Sequence, residues 1–489
     1  MRIFIFGIGG TGSRVLRSLT MLLASGVKMN APDLTLVPVI IDTDAHNGDT
    51  TRTRDLLRSY YAIRRSFVNG TATSQSDSFF NTQIRSFNRL DPNSPENADL
   101  DVQFNFQNQD NTFSNYIGYN SLSQVNKDII ELFYNDSLDD HPELMLNLSV
   151  GFKGNPNIGS VVFNDLANSQ QFKNLESGFT QHDRIFIVSS IFGGTGSAGF
   201  PTLVKLIRQS SNNNLAKTKI GAVTVMPYFN LDSDKESAIN SALFDTKTKA
   251  ALSFYASDSH INSINALYYI ADSNQPGSLP NVEGGAMQVN NSHVVEAIAA
   301  SSVIDFINRT DTELQAPQVF EFGAENGAVP MTISSFNSET KAKYILPLTK
   351  FAYAAKIALD LIPNLTKETF YGPKELNIDN GLGKPNEYKK LLEFFAEFRK
   401  WSEKEMASPN NGRAFNSFNF DAPDHLNDLI HGKPIKTGFL NPGLSRKKVG
   451  ELLTKIEVKE PAATPAPEKY LTMLYKTAEA CLEEVGDLP

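Results

Sequence analysis

The sequence predicts an α/β fold built on a parallel sheet, and three observations carry that prediction. Short β-rich runs recur at Arg2 to Phe6, Leu34 to Ile41, Arg184 to Ser189, Lys219 to Val225 and Ala266 to Ala271, with helix-like runs between them. Two of the strand-to-helix junctions carry the same tetrapeptide, Gly-Gly-Thr-Gly, at Gly9 to Gly12 and again at Gly193 to Gly196. The second strand ends in acid, Asp42-Thr-Asp-Ala45. Near-continuous apolar strands alternating with helices belong to a sheet covered on both faces.

Composition narrows the class. At 489 residues the chain is too long for one ordinary core, so two or three domains are expected, and 33 Phe among 40% hydrophobic residues supply the apolar material. A net charge of −9 with no dense Lys/Arg cluster lacks the electrostatic footprint of a nucleic-acid binder. The lone cysteine, Cys481, excludes an intrachain disulfide framework and points to a reducing compartment. No uninterrupted apolar run reaches the roughly 18 residues of a membrane span, and the N-terminus runs straight into a strand. A cytoplasmic protein with neither nucleic acid nor membrane as partner is expected.

Taken in order, Arg2 to Phe6 opens a buried strand that feeds the first glycine loop, Gly7-Ile-Gly-Gly-Thr-Gly-Ser13. Glycines let backbone N–H groups approach an anion closely, and the helix that follows adds about half a positive charge at its N-terminus. That helix carries Val15, Leu16, Leu19, Leu22 and Leu23 at helical spacing. Gly7, Gly9 and Gly12 also satisfy the dinucleotide fingerprint. The acid of the next strand lies farther on than the usual ~20 residues, and that fold predicts no second Gly-Gly-Thr-Gly. An NAD-dependent enzyme is therefore kept only as a remote alternative.

From Thr51 to about Asp140 the chain turns rich in Asn, Ser, Gln, Asp and Phe, which reads as a partly irregular insertion. Either a surface elaboration or a partner-binding segment fits it. Core returns at Leu144 to Val150, a strand-like end leading into a third glycine loop, Gly151 to Gly159. The central loop, Ser190-Ile-Phe-Gly-Gly-Thr-Gly-Ser-Ala-Gly199, precedes a helix over Pro201 to Gln209. Pro227 to Asp232 is a loop, and Ser237 to Tyr255 reads as a helix. Met287 to Asn308 is apolar on almost every side and predicts a buried spine helix of roughly 33 Å at 1.5 Å per residue. After a strand over Val329 to Phe336, helices are expected at Lys341 to Leu361, Glu387 to Glu405, Arg446 to Glu457 and Lys469 to Glu484. The expected organisation is a nucleotide-binding domain over 1–286, with the insertion at about 51–140, and a central helix over 287–308. A largely helical C-terminal domain over 309–460 follows, then a Pro-rich linker and terminal helix over 461–489. That last helix would pack on its own domain or on a neighbouring subunit.

These motifs together resemble the tubulin and FtsZ superfamily. Phe192 to Gly199 is similar to its G-G-G-T-G-S/T-G signature, with Phe192 for the first glycine and Ala198 inserted before the last. Gly7 to Ser13 resembles the first FtsZ loop, Asp42 to Ala45 its N-T-D-A loop, Gly154 to Gly159 its γ-phosphate loop and Pro227 to Asp232 its ribose loop. The helical C-terminal half most resembles the divergent bacterial tubulin-like proteins.

The resemblance implies a GTP/GDP site with Mg2+. Gly9, Gly10, Thr11, Gly12, Gly193, Gly194, Thr195, Gly196 and Ser197 would wrap the α- and β-phosphates, and Gly154 and Asn155 would meet the γ-phosphate. Asp42 or Asp44 would hold magnesium through water, and Asn230 and Asp232 would face the ribose. Asn291 would read guanine, although a simple helix cap also explains it. Arg14 stands where FtsZ has a base-contacting Asn, and its fork would stack on or clamp the nucleotide. The acidic loop that reaches the next subunit's γ-phosphate in the superfamily has no clear match, and Asp311 and Glu313 are the candidates for it. The implied function is a GTPase that self-associates head to tail into filaments or oligomers. The alternative is a weakly hydrolysing nucleotide switch or scaffold that controls an unknown protein partner.

Overall fold

The computed structural model describes residues 1–489 except 32, 45, 91–99, 105, 107–110, 135–142, 232–243, 273–276, 280–283, 325–329, 366–384, 410–412, 422–425, 436–442 and 460–463. The strands are β1 (Arg2–Ile8), β2 (Thr35–Ile41), β3 (Gln83–Ile84), β4 (Gln103–Phe104), β5 (Arg184–Ser190), β6 (Ile220–Val225), β7 (Phe229–Leu231), β8 (Ala266–Asp272), β9 (Gly277–Leu279) and β10 (Gln318–Ala324). Among the described residues, eight of them form one parallel sheet in the order β10-β8-β6-β5-β1-β2-β3, with β4 also paired to β2. β7 and β9 form a separate parallel pair. Every residue of β5 and β6 is buried, as strands covered on both faces require.

The strand order reverses between β1 and β5. From β1 the chain crosses through α1 (Gly9–Ala24) to β2 on one side, and from β5 it crosses through the helix Gly194–Arg208 to β6 on the other. Right-handed crossovers in opposite directions put the two helices on opposite faces. A crevice opens at the carboxyl ends of β1 and β5, where such sheets bind ligands.

The spine helix is present but shorter than expected. It runs Val294–Asn308, about 22 Å, packs on α1, β6 and β8, and has no exposed residue. Residues 284–293 ahead of it are loop because His293 caps the helix: its Nδ1 accepts from the Val295 N–H, while Glu296 accepts from the His293 N–H. The expectation that 51 onward is irregular also needs correction. Residues 48–67 form α2 (Gly48–Phe67), capped by Asn47 and packed on α1. Leu144 to Val150 makes two 3-10 turns in place of a strand. The C-terminal strand is β10, paired to β8, while Ile333–Ser335 is a 3-10 turn.

The remaining helices follow the sequence closely: Leu346–Lys356 and its π-helical flanks, Pro385–Arg399, Arg446–Lys459 and Ala466–Val485. Phe79 and Phe80 dock the first half of the chain onto them. Phe351 meets both rings, at 5.1 and 5.8 Å, and Phe394 meets Phe80 at 5.1 Å. The aromatic residues scattered through the polar segment are thus anchors.

A second tie between the halves is ionic. Glu405, at the end of the helical run from Pro385, accepts from Arg17 of α1 at 2.5 and 3.2 Å, from Arg52 of α2 at 3.3 Å and from the Ser292 N–H at 3.0 Å. Burial pushes the Glu405 carboxyl up, but the facing Arg17 and Arg52 outweigh it and hold the group below its ordinary range. Removing one partner of a buried pair leaves an uncompensated charge, so Glu405→Ala is expected to cost about 3–5 kcal/mol in denaturant unfolding. The paired change Arg17→Met with Glu405→Leu is expected to cost less than Glu405→Ala alone. The same unfolding curves would reject the network if the single change were neutral.

Candidate nucleotide-binding cleft

The two copies of Gly-Gly-Thr-Gly flank the crevice, and their loops touch. A Cβ on Gly9 would lie 3.2 Å from Cβ of Thr195, and one on Gly194 would lie 2.8 Å from the backbone nitrogen of Gly154. Three loops converge only because glycine lets their backbones pass this closely. Gly12 has another task. A Cβ there would fall 2.6 Å from the carbonyl carbon of Gly7, so Gly12 seats α1 on β1.

The helices that leave these loops start open. Those beginning at Gly9, Pro156 and Gly194 have no side-chain cap and no acid in the first turn. The contrast is with α2 and the spine helix, capped by Asn47 and His293. Helix starts whose N–H groups are unspent by side-chain caps, at Gly9 and Gly194 on the cleft and at Pro156 beside it, are suited to an anion.

The crevice is an open cleft with about 920 Å³ of empty volume, part of it open to solvent. Of the expected phosphate residues, Gly9, Gly10, Thr11, Gly154, Gly193, Gly194, Thr195 and Gly196 line it. Gly12, Asn155 and Ser197 do not. The Ser197 hydroxyl donates back to the Gly193 carbonyl at 2.5 Å, which completes its own turn. Lys153, missed in the sequence, lines the cleft on a left-handed backbone at φ 44°, the sort of strain found at ligand sites. Its place inside a glycine loop was the available signal. Lys247 donates to the Gly154 carbonyl at 2.6 Å and steadies that loop from the helix Phe244–Ser257.

Asp42 and Asp44 both line the cleft at the tip of β2. Asp44 accepts from the N–H groups of His46 at 3.1 Å and Gly285 at 2.5 Å, while Asp42 accepts from the Asp44 N–H at 3.1 Å. Burial, reinforced by Asp44, pushes the Asp42 carboxyl up to about 7. No group of three or more His, Cys, Asp or Glu able to hold a metal occurs among the described residues. Two carboxylates beside an anion cradle fit a magnesium ion that is shared with phosphate oxygens and water, and do not fit an all-protein cage.

The ribose and base side differs most from expectation. In β7 the side chains alternate, so Phe229 and Leu231 line the cleft and Asn230 is exposed. Asp232 lies outside the described residues. Asn291 is exposed, and its neighbour Asn290 lines the cleft, held by Asp49 through both its N–H and its amide, at 3.0 and 3.2 Å. The slip by one residue follows from the spine helix starting at Val294. Arg14 reaches the cleft wall, but its fork is committed. It donates to Glu296 at 2.6 Å, Asp49 at 2.8 Å, Tyr228 at 2.7 Å and Thr11 at 3.3 Å. Its ion pairs are buried, so a clamp on a ligand would have to break them, and in this structure Arg14 shapes the cleft wall.

Asp311 and Glu313 are far from this cleft, in the loop after the C-terminal end of the spine helix. The Asp311 side chain is 81% exposed and pairs with Arg184, at the opening of β5, at 2.8 Å. Glu313 accepts from the N–H and hydroxyl of Thr310, which lower its pKa.

Comparison with known proteins bears on this arrangement. Residues 160–243 match a family model described as tubulin like. No curated protein matches the chain. Among solved structures it is similar to CetZ2 from Haloferax volcanii, a GTPgS-bound protofilament, at 11% identity and a TM-score of 0.28. That match covers 63% of this chain and 58% of the CetZ2 chain. It is also similar to TubZ of Bacillus thuringiensis serovar israelensis, a GTPyS-form protofilament, at 12% identity and a TM-score of 0.24, over 85% of this chain and 82% of that one. Overlays at these scores carry no weight for the fold, which rests on the strand order and loops described above. No helix among the described residues is long and apolar enough to cross a membrane. The family match spans β5, the second tetrapeptide and β6, and over those residues the chain is similar to tubulin-like proteins.

Proposed function

We propose that the cleft binds GTP or GDP with a magnesium ion and that copies of the chain associate head to tail. The observation that carries this reading is the convergence of three uncapped helix starts on a glycine floor, a donor array suited to a polyphosphate. Asp42 and Asp44 would orient the ion through water, and the ion would neutralise the charge of the phosphates. Phe229 and Leu231 offer an apolar wall for the sugar and base, with Asn290 and Gln288 as its polar groups.

Head-to-tail stacking is supported by the spine helix. Gln288 and Asn290 touch the cleft just before it, and Asp311 and Glu313 follow its other end, so stacking along its axis would bring one copy's acids over the next copy's cleft. A second reading has its own support. Both acids are already paired, Asp311 to Arg184 and Glu313 to Thr310, which favours slow hydrolysis and a nucleotide-dependent switch. GTP turnover per subunit is expected to rise with protein concentration in the first case and to stay low and flat in the second.

Binding itself is tested by titrating GTP, ATP and NAD into the protein with magnesium. GTP is expected to bind, and Gly194→Ala to weaken it at least tenfold, on the order of 1.4 kcal/mol, by pushing the Gly154 loop away. Equal binding by ATP would remove guanine selection, and absence of nucleotide binding would overturn the proposal.

Asp42 gives a pH signature. The unfolded chain releases this proton near 3.8 and the folded protein near 7. Its buried carboxyl therefore favours folding below the lower value, loses that contribution as pH rises to 7, and levels off above. The stability of Asp42→Asn relative to the parent is expected to rise by roughly 4 kcal/mol between pH 4 and 7. Urea midpoints across that range check it, and parallel curves would refute the buried protonated state.

A further inference from the structure

Two further features lie beside the cleft, one clear of it and one adjoining it through Phe192. The first is the helix Gln124–Phe133, which has no buried residue. Val125, Ile129, Leu132 and Phe133 recur at i, i+4, i+7 and i+8 and are 67, 48, 84 and 72% exposed, which is a continuous apolar stripe facing solvent. Soluble chains rarely leave such a stripe uncovered. Its polar residues include Asp128 and Glu131 against one cation, Lys127.

The second is a groove with about 1320 Å³ of empty volume between the helices Pro156–Asn164, Gly194–Arg208 and Phe244–Ser257. Its floor is apolar, with Ile191, Phe192, Ala250 and Ala251, and Phe254 stands 49% exposed at the edge. The buried hydroxyl of Tyr255 has no hydrogen-bond partner. The charged residues along it are Lys205 and Lys247 against one acid, Asp258. An acidic apolar helix and a slightly basic apolar groove are complementary in shape class and in charge.

We infer that the helix Gln124–Phe133 of one copy docks in this groove of a second copy. Helix-in-groove pairing anchored at i, i+4 and i+7 is a recurrent recognition mode, and the acids Asp128 and Glu131 would face Lys205 and Lys247. An anionic membrane surface is disfavoured as the occupant, because the helix carries net negative charge and a single lysine. The contact joins two different patches, so it propagates from copy to copy or closes into a ring. None of the four stripe residues lines the cleft, so the contact does not require bound nucleotide. It still bears on the cleft, because Lys247 in the groove wall holds the Gly154 carbonyl.

The test uses the full-length chain in the absence of nucleotide. Cys481 is buried, so cysteines introduced as Leu132→Cys and Ala251→Cys supply the only exposed thiols. Mild oxidation of an equimolar mixture of the two single variants is expected to give a cross-linked dimer, and neither variant alone should give one. Sedimentation should show that Leu132→Asp and Phe254→Asp each shift the assembly toward monomer by at least tenfold in dissociation constant. Circular dichroism would confirm that both variants stay folded. The charge exchange Glu131→Lys is expected to weaken association, and adding Lys205→Glu to restore it. No mixed cross-link would overturn the proposal. So would a cross-link confined within one chain when both cysteines share it, or helix variants that lose only vesicle binding or capture of another protein.

Discussion

The structure hangs on a buried lattice of three guanidinium groups and three carboxylates. Arg14 and Arg17 come from α1, Asp49 and Arg52 from α2, Glu296 from the spine helix and Glu405 from the C-terminal helices. The charges balance, and each carboxylate accepts from at least one arginine. Charges this deep are costly to bury unless each is paired and hydrogen-bonded. The four elements must therefore arrive together in one register. That requirement sets the wall of the cleft as well, since Arg14 and Glu296 also hold Tyr228, and Asp49 holds Asn290.

The cleft works by the opposite device, the removal of side chains. Its floor is backbone whose N–H groups are unspent by caps. The nearest acids, Asp42 and Asp44, stand at the strand tip, and neither occupies the first turn of the open helices. The pairing of an open donor array with two carboxylates is what supports the proposed ligand, a polyphosphate carrying a magnesium ion. In such a site the protein contributes position and fixed dipoles, and burial pushes the Asp42 carboxyl up to about 7.

The sheet and the phosphate side were legible in the sequence because glycine spacing and apolar runs are local signals. β1, β2, β5, β6 and β8 fall where their β-rich runs lie, and eight of the eleven residues expected to meet phosphate line the cleft. Which residues of the opposite wall face the cleft was not legible, because there the outcome depends on register. His293 capping the spine helix moves its start to Val294 and trades Asn291 for Asn290, and the pleat of β7 trades Asn230 for Phe229 and Leu231. The surroundings of Arg14 were hidden for a related reason: its partners Asp49 and Glu296 are distant in sequence, and only the fold brings them together. A hint was present in Glu296, a lone acid in an otherwise apolar helix start, which is seldom left without a buried cation.

The spine helix then links the cleft to the opposite end of the sheet. Its N-terminal end is fixed by Glu296 in the ionic lattice, and its far end carries Arg309, which donates to Asp305 and Tyr268 and lies 4.1 Å from the Phe320 ring of β10. A helix clamped at both ends and buried along its length behaves as a strut, so a push at one end is felt at the other. Asp311 sits two residues beyond that clamp and is held to Arg184, at the end of β5 opposite the second glycine loop. For Asp311 to act on a neighbouring copy's ligand it must leave Arg184, and the cationic Arg184 would then be left at the contact. In the head-to-tail arrangement we propose, stacking would therefore require release of that pair, and the strength of the Arg184 contact would set how readily assembly and hydrolysis are coupled.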